Sequence, residues 1–441
     1  MQKHEQRKEI HRRNTPITLP YGEESLRLSI PSENRVLFDG SMEYYPPAEN
    51  VKALIRRKLE KPNGTGPLSS LISPGSSVLV LIEDNTRDSP LIPVLEVLLD
   101  YLTDSGVSPD EITLMTAPGT HRVMTEQEIL NKLGKALVKR VKIIQHDYTD
   151  GSSMDDLGTV RAGETDIPIQ INGAVLEADF IVATGNIKPH PDAGYSGGAK
   201  MLEPGVCGYS TTAATHVSAA LLEEIPLGTT ENPCRRGIEA VAAKAGLGFI
   251  INTVTNYKDE IIDIVAGDFI QAHREGAQLA AQVYGVHIPE PADIVIVSSF
   301  PADMDWWQAN KGLIAAYFAV KQGGTIIFIT PATEGLQHNH PQLIDWLACS
   351  WEEAKERALR ISFDDEREDL VAADIAMCNS KAREKAEILL VSGGLTDKEV
   401  ELLGYTRFST PQEALDYALQ KNPCSSVGIL PRGGDALPIL Q

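Results

Sequence analysis

One stretch concentrates the reactive side chains of this chain. It runs Asn186-Ile-Lys-Pro-His-Pro-Asp-Ala-Gly-Tyr-Ser-Gly-Gly-Ala-Lys-Met-Leu-Glu-Pro-Gly205 and is followed by Thr211-Thr-Ala-Ala-Thr-His216. His190, Lys200 and His216 thus share one span with a glycine-rich loop. Imidazole titrates near neutrality, so it can take and give a proton, and in its neutral form it ligates metals. A lysine desolvated beside such a loop can lose its proton and become a nucleophile or covalent anchor. Plainer readings exist for each residue. Pro-His-Pro could be a rigid structural turn, Lys200 a surface lysine, and His216 a core or capping residue. A phosphate-binding P-loop fails here, because Ala199 precedes the lysine and Met201 follows it.

Three further segments carry chemistry. Glu83-Asp-Asn-Thr-Arg87 and Ala117-Pro-Gly-Thr-His-Arg122 each follow an apolar run that reads as a strand. His121 lies in the second of these. A lone loop histidine usually just bonds to backbone, but the place beyond a strand end favours function. Asp84 could bind a sugar hydroxyl or cap the next helix. Met304-Asp-Trp-Trp-Gln-Ala-Asn-Lys-Gly312 supplies Trp307, Gln308 and Lys311. Arg87 and Lys311 suit a substrate carboxylate, Arg as a planar fork and Lys as a point charge. Trp306 and Trp307 read as core or as the rim of a pocket. His338 and His340 could chelate a metal, but Leu336-Gln-His-Asn-His-Pro341 reads better as a solvated loop.

The elements that must position these residues alternate short apolar runs with longer amphipathic stretches. Strands are expected at 77–82, 112–115, 141–144, 180–183 and 249–254, then at 294–297, 325–329, 388–391 and 427–430. Continuous apolar runs suit parallel strands covered on both faces. Helices are expected at 91–102, 307–322, 342–360 and 411–420. The proline-flanked segment 286–292 reads as a domain boundary. The expected architecture is therefore α/β, with two lobes of mainly parallel sheet and the site in the cleft between them. Residues 1–15 read as a polar tail, 16–287 as the cofactor-binding lobe, and 288–441 as a lobe lending substrate contacts.

A chain of 441 residues exceeds one ordinary core, which agrees with two lobes. The formal net charge of −21 argues against nucleic acid and anionic membrane partners. No apolar run approaches a membrane span, and the N-terminus lacks the apolar core of a signal peptide. Five scattered cysteines without CxxC spacing fit reduced thiols in the cytoplasm. Nothing in the sequence specifies an oligomeric state.

Taken together, residues 83–87, 117–122, 186–216 and 304–312 resemble the nickel-dependent lactate racemase family, in the same order along most of the chain. The resemblance implies a nickel-pincer nucleotide, the Ni(II) complex of pyridinium-3,5-bisthiocarboxylic acid mononucleotide. It implies covalent attachment of that group at Lys200, nickel ligation by His216, and His121 and His190 as paired acid/base residues. Asp84, Asn85, Thr86 and Arg87 would contact nucleotide or substrate, and Trp307, Gln308 and Lys311, with Arg87, would hold the substrate. The implied reaction is racemisation or epimerisation of a 2-hydroxy acid, with hydride passing reversibly to the cofactor through a 2-keto acid. Cofactor-building enzymes would be transient partners. The chain departs from the lactate pattern at Asn85, where histidine is common, at Asp88, where proline is common, and at Trp307, where tyrosine is found. The catalytic set therefore transfers better than the substrate pocket. Two other readings compete: a zinc hydrolase or lyase using His121, His190 and His216, and a non-catalytic cofactor carrier. The first leaves Lys200 without a role.

Overall fold

The computed structural model describes residues 14–87, 89–337 and 339–441. Residues 1–13, most of the expected tail, lie outside the described residues, as do Asp88 and His338.

Two six-stranded sheets organise the chain. In the first, the strands stand in the order Ile261–Gly267, Leu247–Thr255, Phe180–Asn186, Val78–Ile82, Ile112–Thr116 and Lys142–Gln145. All neighbours pair in parallel except the outermost, Ile261–Gly267, which runs antiparallel to Leu247–Thr255. Val78–Ile82 is buried at every position, as a central strand with helices on both faces must be. The chain builds outward from Val78–Ile82 in one direction, then returns to lay Phe180–Asn186 on its other side. That reversal of strand order opens a crevice beyond the carboxyl ends of these two strands. Glu83–Arg87 and the Lys188–Lys200 loop emerge there.

The second sheet repeats the device. Its order is Thr406–Arg407, Ala386–Val391, Val320–Ile329, Ala292–Ser298, Val427–Leu430 and Val36–Asp39, all parallel. Strand order reverses between Ala292–Ser298 and Val427–Leu430. Helix Trp306–Ala319 follows the first of these, capped by Asp305, whose side chain accepts from the Gln308 backbone N–H at 2.7 Å.

The partition at 286–292 does not hold for the N-terminal segment. Val36–Asp39 pairs with Val427–Leu430 in the second sheet. The hairpin Thr15–Tyr21 with Glu24–Ile30 buries Leu19, Leu28 and Ile30 against Ile294, Ile296 and Ile327 of the second lobe. Gly285–Ile288 in turn pairs with the C-terminal strand Leu437–Leu440. None of these short segments was among the strands expected from the sequence, and burial against a particular sheet selects their partner. A further helix, Leu370–Lys385, lay outside the sequence expectations. It is buried nearly all round from Leu370 to Ala382, so it lacks the amphipathic stripe that marks a surface helix.

The lobes adhere through apolar packing. Tyr209, Ala213, Val217 and Ala220 of helix Tyr209–Ala220 join the second-lobe core with Trp306, Trp346 and Leu370. The Tyr209 hydroxyl accepts from the Leu370 backbone N–H at 2.7 Å. No helix among the described residues is long and apolar enough to cross a membrane.

Candidate active site

The two crevices face one cleft of about 920 Å³, part of it open to solvent. Asp84, Arg87, His121, His190, Lys200, His216, Trp307, Gln308 and Lys311 all line it. Asn85 and Thr86 line an adjoining pocket instead. Asn85 turns away to donate to Glu128 at 2.9 Å. Thr86 donates its hydroxyl to Asp84 at 2.7 Å.

The glycine-rich loop is held from beneath. Gly197 and Gly198 sit at φ 71° and 64°, where a side chain is strained, and a Cβ on Gly198 would fall 2.8 Å from the His273 ring. The short 3-10 turn Gly198–Met201 that follows carries Lys200. Buried Arg235 donates to the carbonyls of Ala193, Tyr195 and Gly197. His273 donates to the Ser196 carbonyl at 3.0 Å, and Asn252 accepts from the Gly198 N–H at 2.7 Å. The loop therefore reaches the cleft without flexible freedom. Burial depresses the proton affinity of the Lys200 amine, against Cys234, Asp192 and Glu203, which favour its charge.

The three histidines are held in different states. His121 Nδ1–H donates to Asp84 at 2.8 Å, and its Nε2 accepts from the Gln308 amide at 3.2 Å. Burial opposes ionisation of Asp84, but His121, Arg87 and Thr86 outweigh it and hold the carboxyl well below its ordinary range. Gln308 Oε1 accepts from Lys311 at 2.7 Å and Arg87 at 3.5 Å, while burial, with Arg87 and Lys200, pushes the Lys311 amine well below its usual range. That fixes its amide NH₂ toward His121. His190 has the opposite arrangement. Its Nδ1 accepts from the Asp192 backbone N–H at 3.3 Å, so a neutral ring carries its proton on Nε2. Burial pushes this imidazole well below its usual range, with Lys200, Lys311 and Arg87 adding to the effect. His216 Nδ1–H donates to the Thr212 carbonyl at 3.0 Å, which leaves Nε2 bare for a metal. Burial, then Lys200, lowers its pKa to about 3, so the ring is neutral.

Several residues have a place here that the sequence did not give them. His340, read there as part of a solvated loop, is buried: it bonds Asp369 at 2.8 Å and Thr120 at 3.1 Å. It also stacks on Trp307 with centroids 4.6 Å apart. Trp307 is thus fixed at the cleft wall, while Trp306 is fully buried core. Asn310 lines the cleft with its Oδ1 unpartnered. Asp192 and Glu203 are buried carboxyl groups of the same loop. Lys188 ties that loop to the second lobe through Asp435 at 3.3 Å, and also meets Asp259 at 3.2 Å.

Fold and cleft together describe a two-lobed α/β enzyme whose site gathers acid/base, cationic and ligating groups from both sheets. Residues 21–225 match the lactate racemase N-terminal domain and residues 288–434 the lactate racemase C-terminal domain. Lactate racemase of Thermoanaerobacterium thermosaccharolyticum is 32% identical over 324 residues, 72% of this chain and 75% of the relative. Lactate racemase of Lactiplantibacillus plantarum is 32% identical over 328 residues, with the same shares. The apoprotein structure of the Thermoanaerobacterium thermosaccharolyticum enzyme superposes with TM-score 0.84 at 27% identity, covering 96% of this chain and 100% of that one. A Thermotoga maritima protein, at 23% identity and TM-score 0.69, shares the fold, with 90% of this chain covered and 100% of that one. The chain belongs to the lactate racemase family, a family of isomerases.

Proposed function

We propose that this protein inverts the carbinol centre of a 2-hydroxy acid, as a racemase or epimerase. The observation that carries this reading is the pair of histidines lining one cleft, each held through Nδ1, His121 by Asp84 and His190 by the Asp192 backbone N–H. Two enantiomers present their hydroxyls in different directions, so inversion calls for one group to take a proton and another to give it. His121, steadied by Asp84, takes the proton as a neutral base; His190 gives a proton as its imidazolium, with the Asp192 carboxylate 3.5 Å from Nδ1 as counter-charge, and the roles exchange in the reverse reaction.

Substrate entry engages the base. A carboxylate is a better partner than a neutral amide for Arg87 and Lys311. Its arrival favours the charged form of Lys311 and displaces Gln308 Oε1 from Arg87 and Lys311, and the same side chain then releases His121 Nε2. Trp307, braced by His340, limits the room for the substrate's remaining substituent.

The donor set fits the nickel-pincer nucleotide. Lys200, largely enclosed and inclined to be neutral, would take the covalent attachment, and the bare Nε2 of His216 would ligate the nickel. Gly197, which lines the cleft, leaves backbone rather than side chain facing the bound group. When bound, that group would supply an acceptor for the substrate's α-hydrogen as hydride, with a 2-keto acid as the transient partner. The reading makes cofactor-building enzymes transient partners, and cysteines without a disulfide support a cytoplasmic location. For the zinc alternative, His121, His190 and His216 do not form a mutual ligand set among the described residues.

The test is chiral chromatography of a 2-hydroxy acid panel, using protein co-expressed with the cofactor-building enzymes. Inversion with retention of α-deuterium supports the proposal. A fully loaded protein that inverts no member of the panel, or that exchanges the deuterium into water, overturns it.

A further inference from the structure

Behind the His190 loop lies a second group of ligating atoms. Asp192, Asp374 and Cys378 are all buried, and their ligand atoms lie within 4.8 Å of one another. Asp374 and Cys378 stand four residues apart on helix Leu370–Lys385, so their side chains share one face. Asp192 comes from the first lobe, where Pro191 restricts the backbone before it.

Close acidic groups alone indicate little. The distinguishing fact is Asp374, which is fully buried with both carboxylate oxygens unpartnered. Burial and the neighbouring Asp192 push this carboxyl well above its usual range, and even an uncharged carboxyl with no hydrogen bond costs a few kcal/mol when buried, so such a group implies something that satisfies it. The nearest cations do not. Lys381 donates instead to the carbonyls of Ala220 and Leu222. Lys200 acts on both carboxylates only through its field.

We infer that Asp192, Asp374 and Cys378 bind a first-row divalent transition cation, of the zinc or cobalt type, as a clip between the lobes. Two carboxylates supply hard donors, and one thiolate selects against magnesium and calcium. Three protein ligands leave a fourth position for water. The three ligands carry three negative charges. A divalent ion leaves one net negative charge on the site, in the field of the neighbouring Lys200 and Lys381 amines. The clip joins helix Leu370–Lys385 to the loop carrying His190, two residues before Asp192. Its role is to hold that loop, separately from any metal ligated by His216.

The experiment uses the full chain made without the cofactor-building enzymes, stripped with chelator and titrated with Co²⁺ alone. The result expected is one Co²⁺ bound with a sulfur-to-cobalt absorption in the near ultraviolet. His216→Ala retains that band, Cys378→Ser abolishes it, and Asp374→Asn weakens binding at least about 100-fold. Both latter substitutions are nearly isosteric. Should either fail to fold, the wild-type spectrum decides. A sulfur-free spectrum, no binding below about 1 mM, or a band lost in His216→Ala overturns the assignment. Because no cofactor is present, this outcome is independent of the racemase reading.

Discussion

Glu203→Gln is expected to stabilise the protein at pH 8 and to do little at pH 5. Glu203 is fully buried in the active-site loop. One carboxylate oxygen accepts the Thr215 hydroxyl at 2.7 Å, while the other has no partner. Burial pushes the carboxyl up to about 7 from 4.5, although Thr215, Lys200 and Arg235 all favour ionisation. The folded protein therefore keeps this proton at pH values where the unfolded chain has released it. Stability falls as pH rises from about 4.5 through about 7, and above that range the full penalty is present. The gap at 1.36 kcal/mol per pH unit is worth about 3 kcal/mol. Glutamine has the same shape and no charge, so it removes that cost while its carbonyl still accepts from Thr215. Urea unfolding of the apoprotein, followed by circular dichroism at several pH values, measures the gain. About 3 kcal/mol at pH 8 and under about 1 kcal/mol at pH 5 is expected. An equal gain at both pH values would refute the reasoning, since packing alone would then explain it. A linked effect is expected at Lys200. Ionised Glu203 helps keep that amine protonated, so Glu203→Gln should speed acylation of Lys200 at pH 8, read by peptide mapping.

Other perturbations probe the rest of the site. Asp84→Asn removes a charge-assisted bond of about 1.5–3 kcal/mol to His121, so kcat/KM of loaded enzyme should fall roughly 10- to 150-fold. Nitrogen chemical shifts of His121 should report the changed tautomer, and unchanged shifts with unchanged kinetics would remove Asp84 from the dyad. His216→Ala should leave a nucleotide-sized mass on Lys200 while nickel content falls; loss of both together would contradict separate roles for the two residues. Gln308→Ala should raise KM little and lower kcat more, if the amide orients His121 once the carboxylate has docked; a pure KM effect would assign it to binding alone. Asp435→Asn leaves the enclosed Lys188 cation short of a partner and should destabilise the folded chain by about 3 kcal/mol. The double change with Lys188→Met should recover much of that loss, and an additive double mutant would show the pair does not couple.

The central strands of both sheets could be read from the chain because a parallel strand covered on both faces is apolar without interruption, whereas Val36–Asp39, Ile261–Gly267 and Thr406–Arg407 at the sheet edges could not. Val78–Ile82 is such a run. The cleft was foreshadowed for a related reason: residues beyond strand ends at a reversal of strand order converge, and Asp84, His121 and His190 all follow strands. Helix Leu370–Lys385 escaped because total burial erases helical periodicity. Val36–Asp39 was assigned to the wrong lobe because strand pairing is a non-local choice, made by which apolar face is available. His340 was misread because Gln-His-Asn-His-Pro is polar, and nothing local reveals that Asp369, Thr120 and Trp307 close around one of its rings. Residue type and order along the chain were enough to name the groups capable of chemistry. Their protonation states were not, because burial, a hydrogen-bond partner and a neighbouring charge set each proton, and those neighbours meet only when both lobes have folded together.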